Sequence, residues 1–111
     1  MLGKLKLLRS SFPDTWIRKT PILLFKTDTI QEDGRIVAMC TRYKNRIILL
    51  CVDKNYRRRG FASTLIQRSG ANKTDTYLGN TNALKVWERN GFVVDKIENS
   101  IFGRRYSLKK K

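Results

Sequence analysis

The stretch CVDKNYRRRGFASTL, Cys51–Leu65, decides the fold. An apolar run that begins at Ile47 ends here at Val52, and three consecutive arginines, Arg57, Arg58 and Arg59, lead into Gly60. From Phe61 the apolar residues Phe61, Ala62, Leu65 and Ile66 recur at helical spacing as far as Gly70. The spacing predicts a buried strand, a tight basic loop and a helix that starts near Gly60. The first turn of a helix leaves backbone N–H groups without partners and carries the positive end of the macrodipole, which suits an anion. Glycine at 60 lets a phosphate approach the backbone, and arginine forks hold phosphate oxygens by paired hydrogen bonds. The loop has the chemistry of a pyrophosphate cradle, yet it contains neither the G-x-x-x-x-G-K-[ST] of a P-loop nor the G-x-G-x-x-G of a dinucleotide fold. A solvated or nucleic-acid-binding basic run is the competing reading of the same arginines.

Outward from this stretch, residues 36–40 and 47–52 are nearly continuous apolar runs joined by the polar segment 42–46, which predicts a hairpin buried on both faces. A further apolar run at 22–26 and a turn at 31–34 precede it. At the start, Leu5 and Leu7 alternate with Lys4 and Lys6, which predicts a first strand, although the basic, leucine-bearing opening also has the look of a transit peptide. One helical turn is expected at 15–19, ended by Pro21. Downstream, 76–78 reads as a short strand, and a second helix runs from Thr81 to the Asn90-Gly91 stop. A terminal hairpin follows, 92–97 with 102–108, bent at 98–100, with Lys109, Lys110 and Lys111 as a frayed tail. The order predicts an α/β fold, a mixed sheet covered by helices, in one domain spanning residues 1–111.

Twenty-four Lys and Arg against nine Asp and Glu give a net charge of +15, which draws polyanions and bears on partners, not on fold. Cys40 and Cys51 lie inside apolar runs, and two cysteines without a histidine cannot build a common zinc site, so no metal is expected. They read as buried reduced thiols in a cytoplasmic protein. No apolar run approaches the ~20 residues that cross a bilayer.

Residues 52–62, Val-Asp-Lys-Asn-Tyr-Arg-Arg-Arg-Gly-Phe-Ala, resemble the acetyl-CoA signature V-x-P-x-Y-R-G-x-G-x-G/A of the Gcn5-related N-acetyltransferase (GNAT) family. Arg57, Gly60 and Ala62 match, while Arg58 replaces a frequent glycine and Lys54 a frequent proline. A second segment at residues 80–92 is similar to the family's later N-x-x-A-x-x-F-Y-x-x-x-G-F, at Asn80, Ala83, Gly91 and Phe92. The resemblance, over roughly residues 21–108, implies a minimal GNAT-like acyl-CoA N-acyltransferase fold with acetyl-CoA as cosubstrate. It further implies a V-shaped opening between the strand ending at Val52 and the strand at 76–78. The pantetheine arm would pair with the backbone of Leu50, Cys51 and Val52, and the pyrophosphate would sit on Arg57, Arg58, Arg59, Gly60, Phe61, Ala62 and Ser63. Asn80 would contact the cofactor or fix the opening, with Trp87 in the same set. In the family's reaction a base or water takes the amine proton, the amine attacks the thioester, and an acid protonates the departing thiolate.

The family's usual acid is a tyrosine at the position of Trp87, whose indole cannot supply a proton, and the usual glutamate base is replaced by nothing nearer than Asp53. Tyr56 and Tyr77 are the stand-in candidates for the acid. Only about twenty residues precede the 22–26 run, too few for the two helices that normally wall the acceptor side, so an open groove suited to a large acidic acceptor is expected. The sequence therefore predicts acetyl transfer to a primary amine on an acidic protein or on RNA such as aminoacyl-tRNA, by a monomer or homodimer. A non-catalytic nucleic-acid-binding module on the same fold is the alternative, and a structural protein of a ribonucleoprotein a third reading.

Overall fold

The computed structural model describes residues 2–13, 16–19, 25–101 and 103–111. The elements are α1 (Leu2–Ser11), the single turn α2 (Trp16–Lys19), β1 (Lys26–Glu32), β2 (Arg35–Tyr43), β3 (Arg46–Val52), α3 (Phe61–Ser69), β4 (Lys73–Tyr77), α4 (Thr81–Arg89), β5 (Phe92–Ser100) and β6 (Gly103–Lys110). The strands form one six-stranded sheet in the order β1-β2-β3-β4-β6-β5. Every neighbouring pair is antiparallel except β3 and β4, which α3 connects as a parallel crossover.

Continuous apolar runs in β2 and β3 are buried on both faces, as their pattern predicts. Leu7 and Leu8 of α1 pack with Met39, Leu49 and Cys51 on one face. On the other face, Leu65 and Ile66 of α3 and Trp87 of α4 pack with Ala38, Cys40, Ile47, Phe92 and Leu108. A bulge decides which side chain goes where. In the β2–β3 ladder Thr41 pairs with Leu49 and Arg42 with Ile47, leaving Ile48 as the extra residue. Ile47 consequently joins the α3–α4 core while Leu49, two residues on, joins the α1 core.

Both helix stops read from the sequence are present: Gly70 ends α3 at φ +65, and Gly91 follows α4 at φ +90. Several expectations are corrected. The segment around Leu5 and Leu7 is the helix α1, because Leu5, Leu8 and Phe12 fall at helical spacing and gain an apolar bed on β2 and β3. The helical turn expected at 15–19 is α2, and together with α1 it places two short helical elements ahead of β1 where the sequence suggested too little room for two. Gln31 and Glu32 belong to β1, so the turn contracts to Asp33-Gly34. Glu98, Asn99 and Ser100 are in strand β5 rather than at the bend. The terminal lysines are not frayed: Lys109 and Lys110 lie in β6, and the Lys110 and Lys111 amides donate to the Asn72 and Gly91 carbonyls. Most of the predicted run at 22–26, with Pro21, lies outside the described residues.

Candidate functional site

β3 and β4 are joined at one end only. The Asn45 carbonyl accepts from the amides of Asn72 and Lys73, at 2.9 and 3.1 Å. The Thr74 hydroxyl donates to the Ile47 carbonyl at 3.2 Å, and Arg46 pairs with Asp75 at 2.7 Å. Their ladder consists of Arg46 with Lys73 and Ile47 with Thr74. Past that point β3 continues to Val52 on β2, and β4 continues to Tyr77 on β6. The Ile48 bulge sits where the two strands part, and it turns β3 away as bulges do. The result is a wedge whose β3 wall, residues 48–52, carries backbone groups that no β4 partner uses.

The wedge opens toward the loop between β3 and α3. Asp53 begins it as a cap: its carboxylate accepts the Asn55 amide at 2.9 Å and the Arg35 guanidinium at 2.7 Å. Chiefly through the Asn55 N–H, aided by Arg35, these contacts hold the Asp53 carboxyl below its ordinary range, making it a poor proton acceptor at neutral pH. Tyr56 donates from its hydroxyl to Asp33 at 3.2 Å, and its ring lies 4.8 Å from the Arg59 guanidinium and 5.6 Å from that of Arg35. Arg57 uses Nε to bond the Val52 carbonyl at 3.2 Å. Two of the three arginines thus brace the loop, and Arg58 has no partner among the described residues.

Two left-handed residues close the loop, Arg58 at φ +66 and Gly60 at φ +80. Gly60 caps α3 without a side-chain bond, and its carbonyl accepts from the Thr64 amide at 3.0 Å. The amides of Phe61, Ala62 and Ser63, ahead of that bond, are the unpaired donors of a helix start. A Cβ built on Gly60 would meet nothing within 4 Å, so the space beside Gly60, at the start of α3, is open.

The other expected site residues are distributed as follows. Leu50 and Val52 are half-buried on the α3 side, against the same core as Phe61. Cys51 points to the α1 side, and burial pushes its thiol up to about 12. Asn80 is the N-cap of α4, accepting the Ala83 amide at 3.2 Å. Trp87 is 5% exposed and meets Phe92 edge-on at 5.5 Å, so its ring is core. Tyr77 ends β4, exposed on the far wall of the wedge. Asn45 and Thr74, which pin the closed end of the wedge, were not singled out in the sequence; their signal is a pairing between strands that no local pattern carries.

A model of the acetyltransferase (GNAT) domain matches residues 26–94, more than half of the chain. The chain belongs to the GNAT acetyltransferase family. Solved structures agree in fold. A GNAT-family acetyltransferase from Bacillus cereus is 25% identical, with a TM-score of 0.71 over 96% of this chain and 91% of that one. A GNAT-family acetyltransferase from Elizabethkingia anophelis with acetyl-CoA bound is 12% identical, with a TM-score of 0.71 over 96% and 88%. A ribosomal-protein-alanine N-acetyltransferase from Escherichia coli is 14% identical, with a TM-score of 0.69 over 97% and 84%. No curated protein matches the chain. The chain is accordingly an acetyltransferase by family. Among the described residues of this acetyltransferase, no helix is long and apolar enough to cross a membrane.

Proposed function

We propose that this acetyltransferase, acting as one domain, binds acetyl-CoA in the wedge between β3 and β4 and moves the acetyl group to a primary amine on an acidic protein. The observation that carries the reading is the parting of β3 and β4 after Ile47 and Thr74, aimed at the open amides of Phe61, Ala62 and Ser63. The free edge at Leu50, Cys51 and Val52 suits an amide-bearing arm, as a missing strand would. The amides at the start of α3 suit a pyrophosphate, with Arg58 the arginine free to reach it. Acetyl-CoA supplies an activated thioester; attack by the amine forms the C–N bond as the C–S bond breaks and the thiolate leaves.

Of the two tyrosines, Tyr77 is the better placed acid, since it stands on the wall of the wedge while the Tyr56 hydroxyl is engaged with Asp33. Positioning supplies much of the rate where the leaving group is a thiolate. A protein acceptor is in keeping with the E. coli relative, whose acceptor is a ribosomal-protein alanine, and an acidic one with the net charge of +15. The nucleic-acid-module reading drew its support from the missing acid at Trp87, and Tyr77 on the wall of the wedge offers a stand-in for that acid.

Calorimetric titration with acetyl-CoA and, separately, with ATP at the same moderate salt tests the proposal. Stoichiometric binding of acetyl-CoA alone is expected. Equal weak binding of both would reduce the arginines to a basic patch and overturn the reading.

A further inference from the structure

A second concavity lies behind the loop, on the α1 side of the sheet. It encloses ≈ 400 Å³ between α1, the start of β2 and the segment that follows β3. Its lining includes four cations, Lys6, Arg35, Lys54 and Arg57, against the single carboxylate of Asp53. Arg35 spends its charge on Asp53. Among the described residues Lys6 and Lys54 make no hydrogen bond or close ion pair, although the charge of Lys54 acts on Asp53, and Arg57 commits only Nε. Leu7 and Ile36 supply an apolar wall. The amides of Phe61, Ala62 and Ser63 belong to α3, which packs on the opposite face of the sheet.

We infer that this pocket takes an acidic side chain of the peptide that presents the acceptor amine. The inference rests on the reading of the wedge as the acetyl-CoA site and deepens it to a class of acceptor sequence. A volume of ≈ 400 Å³ is at the scale of a pocket for one small group, not a groove for a duplex. Its wall suits the short aliphatic stem of Glu or Asp, and its unspent donors suit a carboxylate. No aromatic ring stands among the described lining residues, so a single-stranded nucleic acid would find no surface on which to stack its bases. The pocket adjoins Asp53, one residue past the strand whose edge suits the cofactor arm, with a strand rise of about 3.3 Å per residue. Residues 48–52 span about 13 Å between the parting of the strands and the pocket, a length an extended peptide covers in about four residues, so the recognised acid lies within a few residues of the acceptor amine.

The test uses the full chain and two peptides with free N-terminal amines, one with Glu at positions two to four and one with Gln there. Their binding is read by fluorescence anisotropy and their acetylation by release of free CoA thiol. The Glu peptide is expected to bind about tenfold more tightly and to show a KM lower by the same factor at unchanged kcat. The double variant Lys6→Glu, Lys54→Glu should abolish that preference while leaving acetyl-CoA affinity as in the wild type, and Lys6→Gln, Lys54→Gln should reduce it. Equal binding of the two peptides overturns the inference. So does tighter binding of a short RNA oligonucleotide that displaces the Glu peptide. A loss of acetyl-CoA affinity in the lysine variants would assign the pocket to the cosubstrate and also overturn it. Because anisotropy reads the pocket without turnover, a wild type that binds the Glu peptide but not acetyl-CoA would sink only the reading of the wedge.

Discussion

Ile47 and Leu49, two positions apart on β3, are buried on opposite faces of the sheet, Ile47 with Leu65 and Trp87, Leu49 with Leu8 and Met39. In a regular strand they would share a face. The Ile48 bulge reverses the alternation at the place where β3 leaves β4, so one extra residue both fills two cores and opens the wedge.

Deleting Ile48 should therefore cost far more than shrinking it. Without the extra residue, either Ile47 or Leu49, Leu50, Cys51 and Val52 must turn to the wrong face. Ile48→Ala, at a half-buried position, is expected to cost about 1–2 kcal/mol, and the deletion upwards of about 4 kcal/mol, enough to threaten folding. Urea denaturation followed by circular dichroism measures both. Similar losses for the two changes would mean that the bulge is incidental.

The strand-loop-helix unit was legible because each part has a local cause: a continuous apolar run for β3, glycine before α3 and after it, and helical spacing between. α1 was not legible as a helix. Lys4, Leu5, Lys6 and Leu7 alternate over four residues, and only Leu8 and Phe12, read with Leu5, reveal the longer period. That misreading hid the second concavity, since a strand would not have carried Lys6, Ser10 and Ser11 over the end of β3. The wedge itself was legible only through the family resemblance. Nothing local to residues 48–52 or 75–77 says that they fail to pair.

Arg58 and Gly60 share a left-handed backbone but should respond oppositely to substitution. Arg58→Gly is expected to stabilise the fold by up to about 1 kcal/mol, the relief of a side chain held at φ +66 less the entropy that glycine adds to the unfolded chain. Acetyl-CoA affinity should then fall by less than about threefold, one exposed guanidinium being lost. Gly60→Ala is expected to cost about 1 kcal/mol of stability and to weaken acetyl-CoA at least about tenfold, because it adds a Cβ at the left-handed N-cap that precedes the open amides of α3. Thermal melts and calorimetry separate the two effects. Unchanged affinity in a folded Gly60→Ala protein would remove the cradle from this loop.

Asp53 gives the loop a pH dependence whose sign follows from its lowered pKa. The Asn55 amide and Arg35 favour the carboxylate in the folded state, so the stability it lends is fully present above the ordinary aspartate pKa. It is lost as the pH falls through the lower folded value. The gap in stability between wild type and Asp53→Asn should be widest near neutrality and close in acid, since protonated Asp53, like Asn, no longer pairs with Arg35. A gap that persists undiminished to about pH 2 would show that the charge of Asp53 contributes nothing.

The two thiols test which groups of β3 face the wedge. Burial pushes both Cys40 and Cys51 up to about 12, so neither carries appreciable thiolate near neutrality. A thiol reagent at about pH 8 should leave the native protein unlabelled and modify both cysteines once it is unfolded. Cys51 also turns its side chain to the α1 core, so only its backbone is available to an arm lying in the wedge. Cys51→Ala should accordingly cost about 1 kcal/mol of packing while leaving acetyl-CoA affinity unchanged. Rapid labelling of native Cys51, blocked by acetyl-CoA, would instead place its sulfur in the wedge and reverse the assignment of faces along β3.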